Sequence, residues 1–248
     1  MAFSHTWLSP IIHGLNTHFF KVSFSDSENL EDLSETIISA SNDGFKLLEV
    51  TISDVVLAAK HFTSQASGTD DLPHSVIAKS LPTIGPYLVR IFNASIQEGI
   101  FPTLWKTSLL VALKKISIPT LPSDFRPIAL LCFLSKVLEK LVHDQITNFL
   151  QINNLLDPMQ TGFRKFSSTE TALLKLTDDI RMGISKRLIT ILLQFDFSKA
   201  FDTVSPTKLL KKLKDMGFSK SALIWIKSYL EDRKLHLSLY FAIQNRTI

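Results

Sequence analysis

Residues 188–204 read LITILLQFDFSKAFDTV. The run from Leu188 to Phe197 is Ile, Leu, Thr and Phe with no breaker, which predicts a buried β-strand, and Asp196 stands at its C-terminal end. A carboxylate there points into the crevice where open sheets bind ligands. It suits magnesium, which takes hard oxygen ligands and keeps waters for a phosphate to replace. Strand-end Asp residues also cap helices and terminate strands, so position alone leaves both roles open. Asp202, six residues on, reads as a cap or brace for a helix opened by Ser205 and Pro206.

Working outward, Leu209, Leu210, Leu213 and Met216 give that helix an inward face, and Gly217 stops it. A second helix, SALIWIKSYLEDRK, leads into LHLSLYF, whose alternation predicts a half-exposed strand. Upstream, ETALLKLTDDIRMGI predicts a helix capped by Thr169, with Leu173, Leu174, Leu176 and Ile180 as its apolar face. Before it lies a loop, DPMQTGFRKFSST, and a helix from about Leu134 through SKVLEKLVHDQITNFLQINN. TSLLVALKK predicts a strand ending at Lys114 and Lys115, and ISIPTLPSDFRP a Pro-punctuated loop. Residues 75–99 predict helix divided at Pro82 and Pro86 and closed by Gly99. TISDVVLAAKHF predicts another, with Ser53 or Asp54 as N-cap. Ile128–Leu134 reads as a short buried helix.

The 248 residues, 45% hydrophobic, suffice for a sizeable core. Five Lys and Arg face eleven Asp and Glu in residues 1–100, and 22 face 12 beyond, so the balance moves from −6 to +10. A basic C-terminal part suits a polyanion, although lysines on solvated helix faces give the same count. Cys132 is the only cysteine, which excludes a disulfide framework and a cysteine-based zinc site and makes a reducing, intracellular setting the default. The N-terminus MAFSHTWLSPIIHGL lacks the basic start of a signal peptide, and no apolar run approaches the ~18 residues that span a bilayer. The histidines show no His-Glu-x-x-His spacing, and no Gly-x-x-x-x-Gly-Lys loop is present.

The stretch FDFSKAFDTV resembles motif A of the reverse transcriptases of non-LTR (LINE-like, jockey-type) retrotransposons. The resemblance runs in order from about residue 15: LNTHFFKV, SGTDDLPHSVIAK, IFNASIQEGIFPTLWKTSLLVALKK, DFRPIALLCFLSKVLEKLV, QTGFRKFSSTETAL, then LLKKLKDMGF and WIKSYLEDRK after motif A. It implies an α+β fold, the fingers and partial palm of a right-hand polymerase, mostly helical with short strands and with the thumb absent. Residues 1–50 would be a lead-in segment, 51–188 fingers-like and 189–248 a partial palm.

The same resemblance gives each residue a job. Asp196 is implied as the catalytic ligand for Mg2+, with Phe197 lending a backbone carbonyl. Phe201 occupies the aromatic gate under the sugar, or is simply core. Arg126 grips the triphosphate, with Lys114 or Lys115 as a second cation; the lysines also read as a solvated strand end. Gln160, Gly162, Phe163 and Arg164 would touch template or nucleotide, or else form a plain connecting turn. The implied partners are an RNA template, a DNA primer and a dNTP, with no membrane.

The family also uses an aromatic-Ala-Asp-Asp turn. The adjacent Asp pairs here, Asp70–Asp71 and Asp178–Asp179, have neither its form nor its place, and no Gly-Val-Pro-Gln-Gly-Ser-like block follows LHLSLYF. The expectation is therefore a chain that lacks nucleotidyl transfer alone and has an open apolar strand edge. The alternatives are a residual nucleic-acid-binding fragment or a functionless translated remnant.

Overall fold

The computed structural model describes residues 30–197, 200 and 203–237. Their backbone divides into two compact units, Thr147–Ala200 and the remainder. Helices dominate and one small sheet is present, so the chain is mixed α and β.

In the larger unit, α1 (Leu30–Ile38) is followed by an extended segment and α2 (Ile52–Lys60). Thr51, not Ser53 or Asp54, caps α2; its hydroxyl accepts from the Asp54 N–H, and the Asp54 carboxylate takes the Thr51 N–H in return. The next helix, α3 (His74–Glu98), is one element and is not divided. Pro82 and Pro86 lie four residues apart on its exposed side, so the carbonyls they leave without a donor reach water. Its other face, Ile77, Leu81, Leu88, Phe92 and Ile96, is buried and holds the helix together. Gly99 ends it at φ +69°, where glycine carries no Cβ penalty.

A short 3-10 turn (Thr103–Lys106) leads into β1 (Thr107–Lys114), and a further 3-10 turn (Pro122–Asp124) into β2 (Phe125–Leu130). FRPIAL is thus a strand, not the end of a loop, and the short helix expected over Ile128–Leu134 is absent. Pro127 is tolerated because β2 is an edge strand. The chain then enters α4 (Phe133–Ile152).

The smaller unit takes the last turn of α4, a loop and α5 (Thr169–Ser185). Ser168 rather than Thr169 caps α5, because its hydroxyl reaches the Thr171 N–H. The apolar face expected on α5 is not buried: Leu173 and Leu174 are 61% and 64% exposed. Nor do residues 188–197 form a strand. Extended apolar chain becomes a strand only where a neighbour accepts its backbone hydrogen bonds, and no strand pairs with this run among the described residues.

Back in the larger unit, α6 (Pro206–Asp215) begins at Ser205 as expected and buries Leu210 completely. Then come α7 (Lys220–Leu230) and β3 (Lys234–Leu237); Ser238–Phe241 of the expected strand lie outside the described residues. The sheet order is β2-β1-β3, antiparallel for β1 with β2 and parallel for β1 with β3. Helix α1 packs on α6 and α7, α3 on α2 and α7.

Two side-chain amides pin the extended segment before α2. Asn93 accepts from the Val50 N–H at 2.8 Å and donates to the Val50 carbonyl at 3.0 Å. Gln145 does the same for Leu48, at 2.8 and 3.0 Å. Each amide substitutes for a strand partner. Asn93→Ala should therefore leave the buried Val50 backbone without partners and cost about 1–3 kcal/mol in urea unfolding, while an exposed control, Lys60→Ala, should cost less than about 0.5 kcal/mol.

Candidate nucleotide and nucleic-acid interface

Lys114, Lys115 and Arg126 all lie on the β1–β2 hairpin. The register pairs Leu113 with Arg126 and Lys114 with Phe125. Directly opposed residues share a face and neighbours alternate, so Arg126 is on the face of Leu113 and Val111, and Lys114 is on the other. That other face carries Leu110 and Ala112, against which Phe125 packs. Arg126 and Lys114 are exposed, and among the described residues neither side chain has a hydrogen-bond or ion-pair partner. Pro127 is within β2 and does not form a turn.

Lys115 is engaged differently. Its ammonium donates to the Ser123 carbonyl at 2.7 Å and its N–H to the Asp124 carbonyl at 2.7 Å, closing the loop between the strands. Asp124 completes the closure, its Oδ2 accepting from the Thr120 and Leu121 N–H groups at 2.9 Å each. Those backbone donors, Leu121 first, hold its carboxyl below the ordinary range, and Lys115 adds to the effect. The sequence reading passed over Asp124; the signal was the Ser-Asp pair before the strand, since Asp closes turns through nearby backbone N–H groups.

In the smaller unit, Asp157 organises the loop that holds Gln160, Gly162, Phe163 and Arg164. Its Oδ1 accepts from the Met159 N–H at 2.8 Å, and its carbonyl accepts from Arg164 Nη1 at 2.7 Å and from the Gln160 N–H at 3.1 Å. Gln160 Nε2 donates to the Gly162 carbonyl at 3.2 Å. Arg164 lines an open cavity of about 290 Å³ with Leu150, Gln151, Asn154, Leu156 and Pro158. Phe163 is 93% exposed at φ +59°, and Phe166, which the sequence reading did not single out, is 101% exposed at φ +61°. Both rings thus stand out from left-handed backbone positions. A Cβ on Gly162 would meet nothing within 4 Å, so the fold itself does not require glycine there.

Asp196 and Phe197 are exposed in the same unit, while Phe201 and Asp202 lie outside the described residues. Magnesium takes near-octahedral oxygen coordination, and among the described residues no three His, Cys, Asp or Glu side chains cluster. Among the described residues, Asp196 and the neighbouring Phe197 carbonyl do not by themselves complete such a site. No helix among the described residues is long and apolar enough to cross a membrane.

Residues 113–247 match the family model for reverse transcriptase (RNA-dependent DNA polymerase). The chain belongs to that family. It is 28% identical over 223 residues to the probable RNA-directed DNA polymerase from transposon BS of Drosophila melanogaster, covering 89% of this chain and 24% of that protein. To the RNA-directed DNA polymerase from mobile element jockey of the same species it is 26% identical over 229 residues, 92% of this chain and 25% of that protein. A Pol polyprotein from type-1 retrotransposable element R1 of Bradysia coprophila is 28% identical over 238 residues, 95% of this chain and 22% of the relative. The chain spans about a quarter of the length of these curated relatives. The non-LTR retrotransposon resemblance read from the motifs is borne out.

The hairpin loop should be pH-sensitive in a definite sense. Because the Asp124 carboxyl is depressed in the fold, the loop's stabilisation is present above the ordinary Asp value of 3.8 and is lost as pH falls through the lower, folded value. Amide exchange at Thr120 and Leu121 should stay protected near pH 5 and accelerate selectively under more acid conditions, and Asp124→Asn should weaken that protection near pH 5 and abolish its acid dependence.

Proposed function

We propose that this chain supplies the fingers and the first part of the palm of an RNA-directed DNA polymerase, with residues 51–188 as fingers and 189–248 as partial palm. The observation that carries the reading is the family match beginning at Leu113, on the hairpin where Arg126 and Lys114 stand exposed and, among the described residues, without partners. A planar guanidinium on a rigid strand suits bidentate capture of a dNTP triphosphate. Arg126 is the principal grip. Lys114, on the opposite face of the hairpin, and Lys115, already bonded to Ser123, contribute secondary charge.

Gln160, Gly162, Phe163 and Arg164 contact the template strand. Asp157 holds the Arg164 side chain, and Phe163 offers a ring for base stacking. Asp196, with the Phe197 carbonyl and Mg2+, belongs to the catalytic centre, and Phe201 to the sugar gate. The 248 residues by themselves do not extend a primer, since the sequence carries no aromatic-Ala-Asp-Asp turn to complete the carboxylate set.

Titration with a fluorescent dNTP tests the grip. Arg126→Ala should weaken binding by about tenfold or more, as a charge-assisted hydrogen bond contributes ~1.5–3 kcal/mol, and Arg126→Lys should not restore it. Unchanged affinity would remove Arg126 from the site. In a primer-extension assay with magnesium the wild-type chain should give no product; extension abolished by Asp196→Ala would overturn the inactivity of the isolated chain.

A further inference from the structure

Helix α6 carries a feature that the nucleotide grip does not use. Lys208, Lys211 and Lys212 follow helical spacing i, i+3, i+4, so one face of the helix carries all three, and all three are exposed. The opposite face is anchored: Leu210 is wholly buried, Leu209 and Leu213 are half-buried, and Ser205 caps the N-terminus by accepting the Lys208 N–H at 3.2 Å. The rotation of the helix is therefore set, and the lysine stripe faces solvent.

Several other lysines of this unit have partners, although Lys114, like the stripe, has none among the described residues. Lys214 donates to Ser39 Oγ at 2.8 Å, Lys136 to the Ala66 carbonyl at 3.2 Å, and Lys227 lies 3.6 Å from Glu231. None of the three stripe lysines has a side-chain partner among the described residues. Lys208 lies in the first turn, where the macrodipole disfavours a cation, and Lys212 in the last, where it favours one; like charges at i, i+3 and i, i+4 repel. Asp215 is the single acid of α6 and falls on the same side, leaving the stripe net positive.

We propose that this stripe is a docking surface for the phosphodiester backbone of a nucleic acid, an additional contact that rests on the polymerase reading but is separate from Arg126 and Arg164. Compact ammonium groups suit contacts that position a polyanion without reading its sequence. An anionic membrane is the poorer fit. Interfacial helices need an exposed apolar face, and α6 has spent its leucines on the core.

The test is fluorescence anisotropy of the full chain with a labelled RNA–DNA hybrid at several salt concentrations. The variant K208Q/K211Q/K212Q should bind about tenfold or more weakly, with a log affinity against log salt slope shallower by about 2 to 3, since each neutralised phosphate contributes ~0.9. Its thermal melt should match wild type, K208R/K211R/K212R should keep the slope, and Asp215→Asn should tighten binding. The Arg126→Ala variant, assayed in parallel, should lose dNTP affinity while keeping the part of the slope due to α6. An unchanged slope in the glutamine variant, or loss of binding only to phosphatidylserine vesicles, would overturn the proposal and leave the nucleotide grip to stand or fall on the dNTP titration.

Discussion

Phe101 is wholly buried, and the larger unit is organised around its ring. Trp225 and Tyr229 of α7 meet it edge-on at 5.6 and 5.1 Å, and Trp105 does so at 6.3 Å. Its N–H donates to Ser228 Oγ at 2.9 Å, a bond between residues 127 positions apart. Trp225 Nε1 donates in turn to Ser95 Oγ at 3.0 Å, which ties α3 to α7. The turn at Gly99 brings Phe101 back onto these helices, so α3, the approach to β1 and the approach to β3 are joined at one point. Aromatic pairs of this geometry contribute ~0.5–1.5 kcal/mol each beyond area burial. The hairpin that displays Arg126 grows from a strand that begins just after this cluster and can be no better placed than the cluster is packed.

The same cluster sorts the chain's cations. Arg233 stacks over Tyr229 at 3.9 Å and over Phe101 at 5.2 Å, donates through Nε to the Tyr229 carbonyl at 2.7 Å, and sits 3.6 Å from Glu139. Burial pushes the Glu139 carboxyl up, and Arg233 and Ser135 offset part of that. Arg233 Nη2 makes no hydrogen bond, so ring contacts and the Nε bond hold the guanidinium more than the ion pair does. Arg233, Lys115 and Lys214 are thus spent on the fold. Arg126, Lys114, Lys208, Lys211 and Lys212 are displayed to solvent.

Much of the architecture was legible from local chemistry. β1, α4, α6 and α7 declare themselves through alternation or 3.6-residue periodicity and through Ser, Pro and Gly at their ends. Apart from the caps of α2 and α5, which were misplaced locally, the misreadings share one cause, which is that the deciding partner is distant or on another face. Pro82 and Pro86 read as breaks, yet both face solvent on a helix held by its buried side. Arg126–Pro127 read as the end of a loop, yet β1 recruits it as an edge strand. Asn93 and Gln145 carry no sequence signal at all, because an amide in a helix becomes a strand surrogate only when a particular backbone segment lies beside it.

The sequence by itself determined the family, because motif order is a one-dimensional property, and with it the identity of Arg126, Arg164 and Asp196 as the residues to consider. It also marked most of the helical segments, since capping and periodicity act over a few residues, but it missed α1 and placed a helix over Ile128–Leu134 where β2 runs. Only the tertiary structure decided that Lys114 and Arg126 occupy opposite faces, that Lys115 is tied to Ser123, and that three lysines of α6 face outward together. Side-chain direction depends on strand register and on which helix face is buried, and both are set by contacts between residues far apart in the chain. For the same reason the run from Leu188 to Phe197 has strand composition without strand structure: its apolar content is local, but a ladder needs a neighbour.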